Sequence, residues 1–198
     1  MIDTVQEWLL NNKIELVGAI LGILYIFFSI RQSIFTWPTG LLTSLLYIYV
    51  FFQTKLYADM GLQIYYVGIS IYGWYFWLKG ERENKTNTVP VRKTRKVLWF
   101  KLFVASVIIY AVILFILKFT DSDIAYFDSL TTALSIVATW MLARKYLEHW
   151  LIWIFVDLLS SGLYVYKELW ATVVLFLIYT FMAFLGYNEW KKVYYFHQ

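Results

Sequence analysis

The chain has 198 residues, 61% of them hydrophobic and 22% aromatic, with a net charge of +4 and a mean hydropathy of +0.62. Soluble domains are about 45–50% apolar, so a water-soluble globular protein is excluded as a starting point. The absence of cysteine removes disulfides, thiolate catalysis and cysteine-based metal sites.

Residues 1–13 contain DTVQEWLLNN. Val5, Trp8 and Leu9 form one apolar face, too short to cross a bilayer, and the stretch reads as an interfacial segment. It lacks a basic region followed by a small-residue cleavage site, so no cleavable signal is expected. Seven apolar stretches follow, near 14–31, 36–53, 60–78, 97–117, 127–143, 150–166 and 170–188. A crossing needs roughly 17–25 mainly apolar residues. The stretches are too continuous for the alternation of outer-membrane strands. The expected fold is therefore an all-α integral membrane protein with seven transmembrane helices. The one long connection, 79–96, carries seven basic residues and Pro90 and is expected to be a loop.

Basic residues set the direction. With the N-terminus outside, the inner segments hold Arg31, the 79–96 loop, Lys101, Arg144, Lys145, Lys191 and Lys192, which is 13 of the 17 basic residues. The outer segments hold Lys13, Lys55, Lys118 and Lys167, with Asp121, Asp123 and Asp128. The positive-inside rule predicts N-out and C-in, and it accounts for the basic loop without nucleic acid.

A shift of 113 residues lays the last third of the chain on the first. Arg31 meets Arg144, Trp37 meets Trp150, Tyr66 meets Tyr179, and Gly73, Trp77 and Lys79 meet Gly186, Trp190 and Lys192, with no gap. Two three-span modules, 14–78 and 127–190, are thus expected on either side of a linker helix at 97–117. Span 5 follows span 1 by four crossings, so the repeats run parallel. This 3+1+3 layout is that of SWEET-type transporters, with substrate expected between the halves.

Asp157 is the one charge deep in a span, about 10 Å from the inner end of span 6 at the helical rise. A charge there costs roughly 2.5–3.5 kcal/mol on insertion scales, so it should face a cavity or a partner. It reads as the counter-charge of a cationic substrate, or as a structural carboxyl bonded to a neighbouring helix. Trp150 and Trp153 share its helical face and would offer a slot for a flat cationic ring; Trp150, at the span end, also suits an interfacial anchor. Gln63 in span 3 can donate and accept to substrate or bridge helices. Thr43 and Ser44 in span 2 are small and polar, and Ser44 stands at the repeat position of Asp157. Tyr66 is a further candidate lining residue, Gly73 a close helix contact, and Trp77 an interfacial anchor.

Phosphate-binding loops, HExxH and plausible Ser/His/Asp sets are absent, so no enzyme, cofactor or metal is expected. A sensor or scaffold subunit docking through the 79–96 loop is the alternative from another class.

ARKYLEHWLIWIFVDLLSSGLYVYKELW (143–170), FFQTKLYADMGLQIYYVGISIYGWYFW (51–77) and WPTGLL at the start of span 2 resemble the PnuC family of bacterial vitamin transporters. The resemblance covers essentially the whole chain. It implies uptake of an unphosphorylated vitamin across the bacterial inner membrane by facilitated diffusion, trapping by a cytoplasmic kinase, and a homotrimer. It also carries the family's WxxW site onto Trp150 and Trp153 and its span-3 glutamine onto Gln63. Nicotinamide riboside transporters of this family tend to have Asn where this chain has Asp157 and Thr43. A carboxylate suits thiamine, with its thiazolium ring and exocyclic amine. Thiamine is therefore the expected substrate, and nicotinamide riboside, also a flat cation, the alternative.

Overall fold

The computed structural model describes residues 13–53, 57–84, 89–119, 124–166 and 168–196. It is all-helical there: α1 Lys13–Ile30, α2 Thr36–Gln53, α3 Tyr57–Asn84, α4 Lys96–Leu117, α5 Ala125–Ala143, α6 His149–Tyr166 and α7 Trp170–Phe196. The interfacial segment expected at 1–13 lies outside the described residues apart from Lys13. Helices α4, α6 and α7 are each long and apolar enough to cross a membrane by length and composition. The chain packs as two units, Met1–Trp74 and Tyr75–Gln198, so the division falls within α3.

The first unit is held by helices that approach at glycines. A side chain on Gly18 of α1 would overlap the Tyr47 ring of α2. One on Gly40 of α2 would meet the Tyr25 ring at 2.9 Å and the Ser70 hydroxyl at 3.2 Å, so α1, α2 and α3 converge there. One on Gly73 of α3 would run into the Trp37 indole, which is fully buried. Small residues permit this approach in a medium where hydrophobic burial does not drive helices together.

In the second unit α4 packs on α5, α5 on α6 and α6 on α7. Leu102, Val137 and Met141 form a core with Leu98, Ile109, Trp140, Tyr146 and Ile152 packed around it. Trp150 of α6 fills the space over Gly186 of α7. His149 stacks edge-on against Trp190 at 4.8 Å between ring centroids.

The turns after α1 and α5 share one design. Gln32 and Lys145, 113 residues apart, take φ of 52° and 55°, the left-handed region that non-glycine residues seldom enter. The next amide reaches back across five residues in each case, Ser33 to the Phe28 carbonyl and Tyr146 to the Met141 carbonyl, both at 2.9 Å. This Schellman geometry satisfies carbonyls that a helix end otherwise leaves orphaned. The residue opening the following helix then bonds back to the turn. The Thr36 hydroxyl donates to the Ser33 carbonyl at 2.8 Å, and His149 Nδ1 lies 2.7 Å from the Tyr146 carbonyl. A carbonyl can only accept, so Nδ1 carries the proton.

Two expectations change. The connection at 79–96 is not loop throughout, because α3 continues to Asn84 and only 89–95 is extended among its described residues. That stretch is bonded down rather than merely solvated. Arg92 N–H donates to the Lys145 carbonyl and Leu147 N–H to the Arg92 carbonyl, each at 2.9 Å. The Thr94 amide and hydroxyl both donate to Glu148 Oε2, at 2.9 and 2.7 Å. Trp77 is not an interfacial anchor: it is 3% exposed, and its Nε1–H donates to the Ala143 carbonyl at 3.1 Å, near the end of α5. Lys145 lies buried over the Trp77 ring at 4.3 Å, a cation–π contact.

Candidate functional site

The expected site residues fall on three helices, with Thr43 and Ser44 on α2, Gln63 and Tyr66 on α3, and Trp150, Trp153 and Asp157 on α6. The first four belong to one packing unit and the last three to the other.

On α6 the three side chains share a face because they recur at three and four residues. Their surroundings differ. Trp150 is 3% exposed, packed against Gly186 and against His149 at 4.5 Å and Trp190 at 5.8 Å between centroids. Those neighbours occupy the ring faces and edges that a ligand would use. Trp153, one turn on, is half-buried and keeps accessible surface.

Asp157 is 5% exposed. Its backbone carbonyl accepts the Ser161 hydroxyl at 2.8 Å, which leaves the Ser161 proton committed to the helix. Among the described residues, the Asp157 carboxyl itself has no hydrogen-bond or ion-pair partner. The structural alternative, a carboxyl tied to a neighbouring helix, therefore finds no support among the described residues. Buried ionisable groups are ordinarily paired or hydrogen-bonded, so a carboxyl held this way is chemically suited to a cation or a donor from outside the chain.

In the first unit Ser44 is 3% exposed, while Gln63 and Tyr66 are half-buried. The Thr43 hydroxyl donates to the Thr39 carbonyl at 2.8 Å, one turn back along α2. Its proton is thus used by its own helix, and only its oxygen lone pairs remain to offer. Tyr66 lies beside Tyr65 with centroids 5.7 Å apart.

Residues 12–192 match the family model described as nicotinamide mononucleotide transporter. The chain is 30% identical to the nicotinamide riboside transporter PnuC of Escherichia coli, over 89% of this chain and 84% of that one. It is 28% identical to the riboflavin/roseoflavin transporter RibM of Streptomyces davaonensis, over 89% and 83%. The crystal structure of the vitamin B3 transporter PnuC superposes with a TM-score of 0.79 at 26% identity, covering 99% of this chain and 88% of that chain. None of these names carries thiamine. The chain belongs to the PnuC family and is a multi-pass membrane vitamin transporter.

Proposed function

We propose that this chain takes up nicotinamide riboside across the bacterial inner membrane. The observation that carries the reading is the buried Asp157 carboxyl without a partner among the described residues, one helical turn from the accessible Trp153 ring. A carboxylate beside an indole suits a flat cation through charge and cation–π attraction together. Among cationic vitamins the relatives' names favour the pyridinium of nicotinamide riboside. Riboflavin, named for RibM, is uncharged and gives Asp157 no counter-ion. Thiamine remains a second reading on one observation, that Asp rather than Asn stands at 157.

Trp153 stacks on the ring and Asp157 supplies the counter-charge. In the first unit, taken by itself, Gln63 and Ser44 have hydrogen-bonding groups suited to a hydroxyl or amide, Tyr66 has aromatic surface, and Thr43 has only acceptor lone pairs. Trp150 acts by holding α6 on α7. The 113-residue correspondence, extending to the caps at Gln32 and Lys145, supports two parallel three-helix modules around the linker helix, 3+1+3. The distribution of lysine and arginine supports N-out and C-in. Transport by facilitated diffusion, a homotrimeric assembly and trapping by a cytoplasmic kinase complete the reading. Uptake of labelled nicotinamide riboside into proteoliposomes tests it: saturable uptake without an imposed ion gradient is expected. Uptake of thiamine alone would transfer the assignment to the second reading.

A further inference from the structure

An apolar groove runs along the outside of α4, separate from the residues assigned to substrate. It has a volume of about 370 Å³, and α4 lines it with Trp99, Leu102, Phe103, Ser106, Val107 and Tyr110, with α5 and Ile152 of α6 as the opposite wall. The Ser106 hydroxyl donates back to the Leu102 carbonyl at 2.9 Å, so it adds little polarity. Trp99 is 38% exposed and Phe103 65%. Among the residues of α4 only Leu102 is buried, so the helix turns apolar side chains outward all round.

The groove has a length and a charged end. Trp99 and Tyr110 are eleven residues apart, about 16 Å at the helical rise. That is close to half of the roughly 30 Å hydrocarbon core, one leaflet. Lys96 precedes Trp99 by three residues and Phe103 by seven, so it sits at the end of the same helical stripe, with Arg95 beside it; both are exposed. Lys101, also exposed, is two residues from Trp99 and from Phe103 and lies on the far side of α4.

We propose that this groove is a binding site for an anionic phospholipid. One acyl chain lies along Trp99, Phe103, Val107 and Tyr110, and the phosphate headgroup rests against Arg95 and Lys96. A neutral lipid would fill the apolar part equally well. The single-leaflet length fits one acyl chain, and the two cations at one end select a lipid with a negative headgroup. Each cation near the surface strengthens an anionic lipid by about fivefold.

The test places the full chain in phosphatidylcholine vesicles and adds phosphatidylglycerol or phosphatidylcholine with brominated acyl chains, which quench nearby indoles. Emission from Trp99 is isolated as the difference between the unaltered protein and Trp99→Phe. Brominated phosphatidylglycerol is expected to quench it at a mole fraction about 25-fold lower than brominated phosphatidylcholine, about fivefold for each of the two cations. The double variant Arg95→Gln, Lys96→Gln brings the two curves together, while Lys101→Gln, with one charge removed from the far side, leaves them apart. Coincident curves in the unaltered protein overturn the proposal, as does a Trp99 signal resistant to both lipids, which would mean the groove is closed by a second copy of the chain. If Trp99→Phe does not fold, total emission is compared between the unaltered protein and the double variant. An unchanged lipid preference there also overturns it.

Discussion

The Trp150 indole occupies the space that a side chain on Gly186 would fill, and 113 residues earlier Trp37 stands in the same relation to Gly73. All four residues are buried. In each unit a tryptophan that opens one helix is thus seated on a glycine of the next, whose missing side chain makes room for the indole between the two helices.

Gly186→Ala and Gly73→Ala should each destabilise the protein by roughly 1–3 kcal/mol, the range for overpacking a tight site. Gly68 and Gly162 have open space where a side chain would stand. Alanine at either should be neutral or stabilising, because glycine costs a helix about 1 kcal/mol relative to alanine. Thermal unfolding of the four variants in detergent checks the contrast; equal losses at all four would rule out the seating described.

Trp150→Ala and Trp153→Ala should separate fold from binding. The first empties a buried indole site and should cost about 3–5 kcal/mol of stability. The second should leave unfolding nearly unchanged and weaken substrate by roughly 1–3 kcal/mol, borrowing the scale of aromatic–base stacking. Paired unfolding and binding measurements decide; a Trp153→Ala protein with full affinity would remove the stacking role.

Asp157→Asn keeps the shape and removes the charge. It should weaken nicotinamide riboside about tenfold, a loss of about 1.4 kcal/mol, and thiamine likewise, because both cations lose their counter-charge. Asp157→Ala, lacking both charge and amide, should weaken both ligands. Unchanged affinities in both variants would end the counter-charge account.

Glu148→Ala should release the extended stretch 89–95. Two hydrogen bonds from Thr94 converge on one Glu148 oxygen, and bonds to charged groups contribute about 1.5–3 kcal/mol. Limited proteolysis or amide exchange should show faster opening around Val91 to Thr94. An unchanged exchange rate would mean that the backbone pairing with Lys145 and Leu147 holds the stretch alone.

All seven helices were legible in the sequence because a span of about 18 apolar residues is a signal few other structures give. The overruns were not. Helix α3 continues past Leu78 to Asn84 and α7 past Asn188 to Phe196, since hydropathy marks where the bilayer ends and not where backbone bonding ends. Trp77 at a span end has the composition of an anchor. Its burial depends on the Ala143 carbonyl, which pairs with a residue 66 positions away. The docking of 89–95 did leave a trace: Val89 and Val91 are buried while Pro90 and Arg92 are exposed, an alternation of period two that a basic, proline-bearing stretch obscures. In the candidate site, spacing placed Trp150, Trp153 and Asp157 on one face, but periodicity cannot tell an indole seated on glycine from one with accessible surface.

The most direct test is a tryptophan-fluorescence titration of the purified protein with nicotinamide riboside and with thiamine, repeated on Trp153→Ala. Saturable quenching by nicotinamide riboside, much reduced in the variant, is the predicted result. Quenching by thiamine with no response to nicotinamide riboside would contradict the proposed substrate, and a full response in Trp153→Ala would contradict the proposed site.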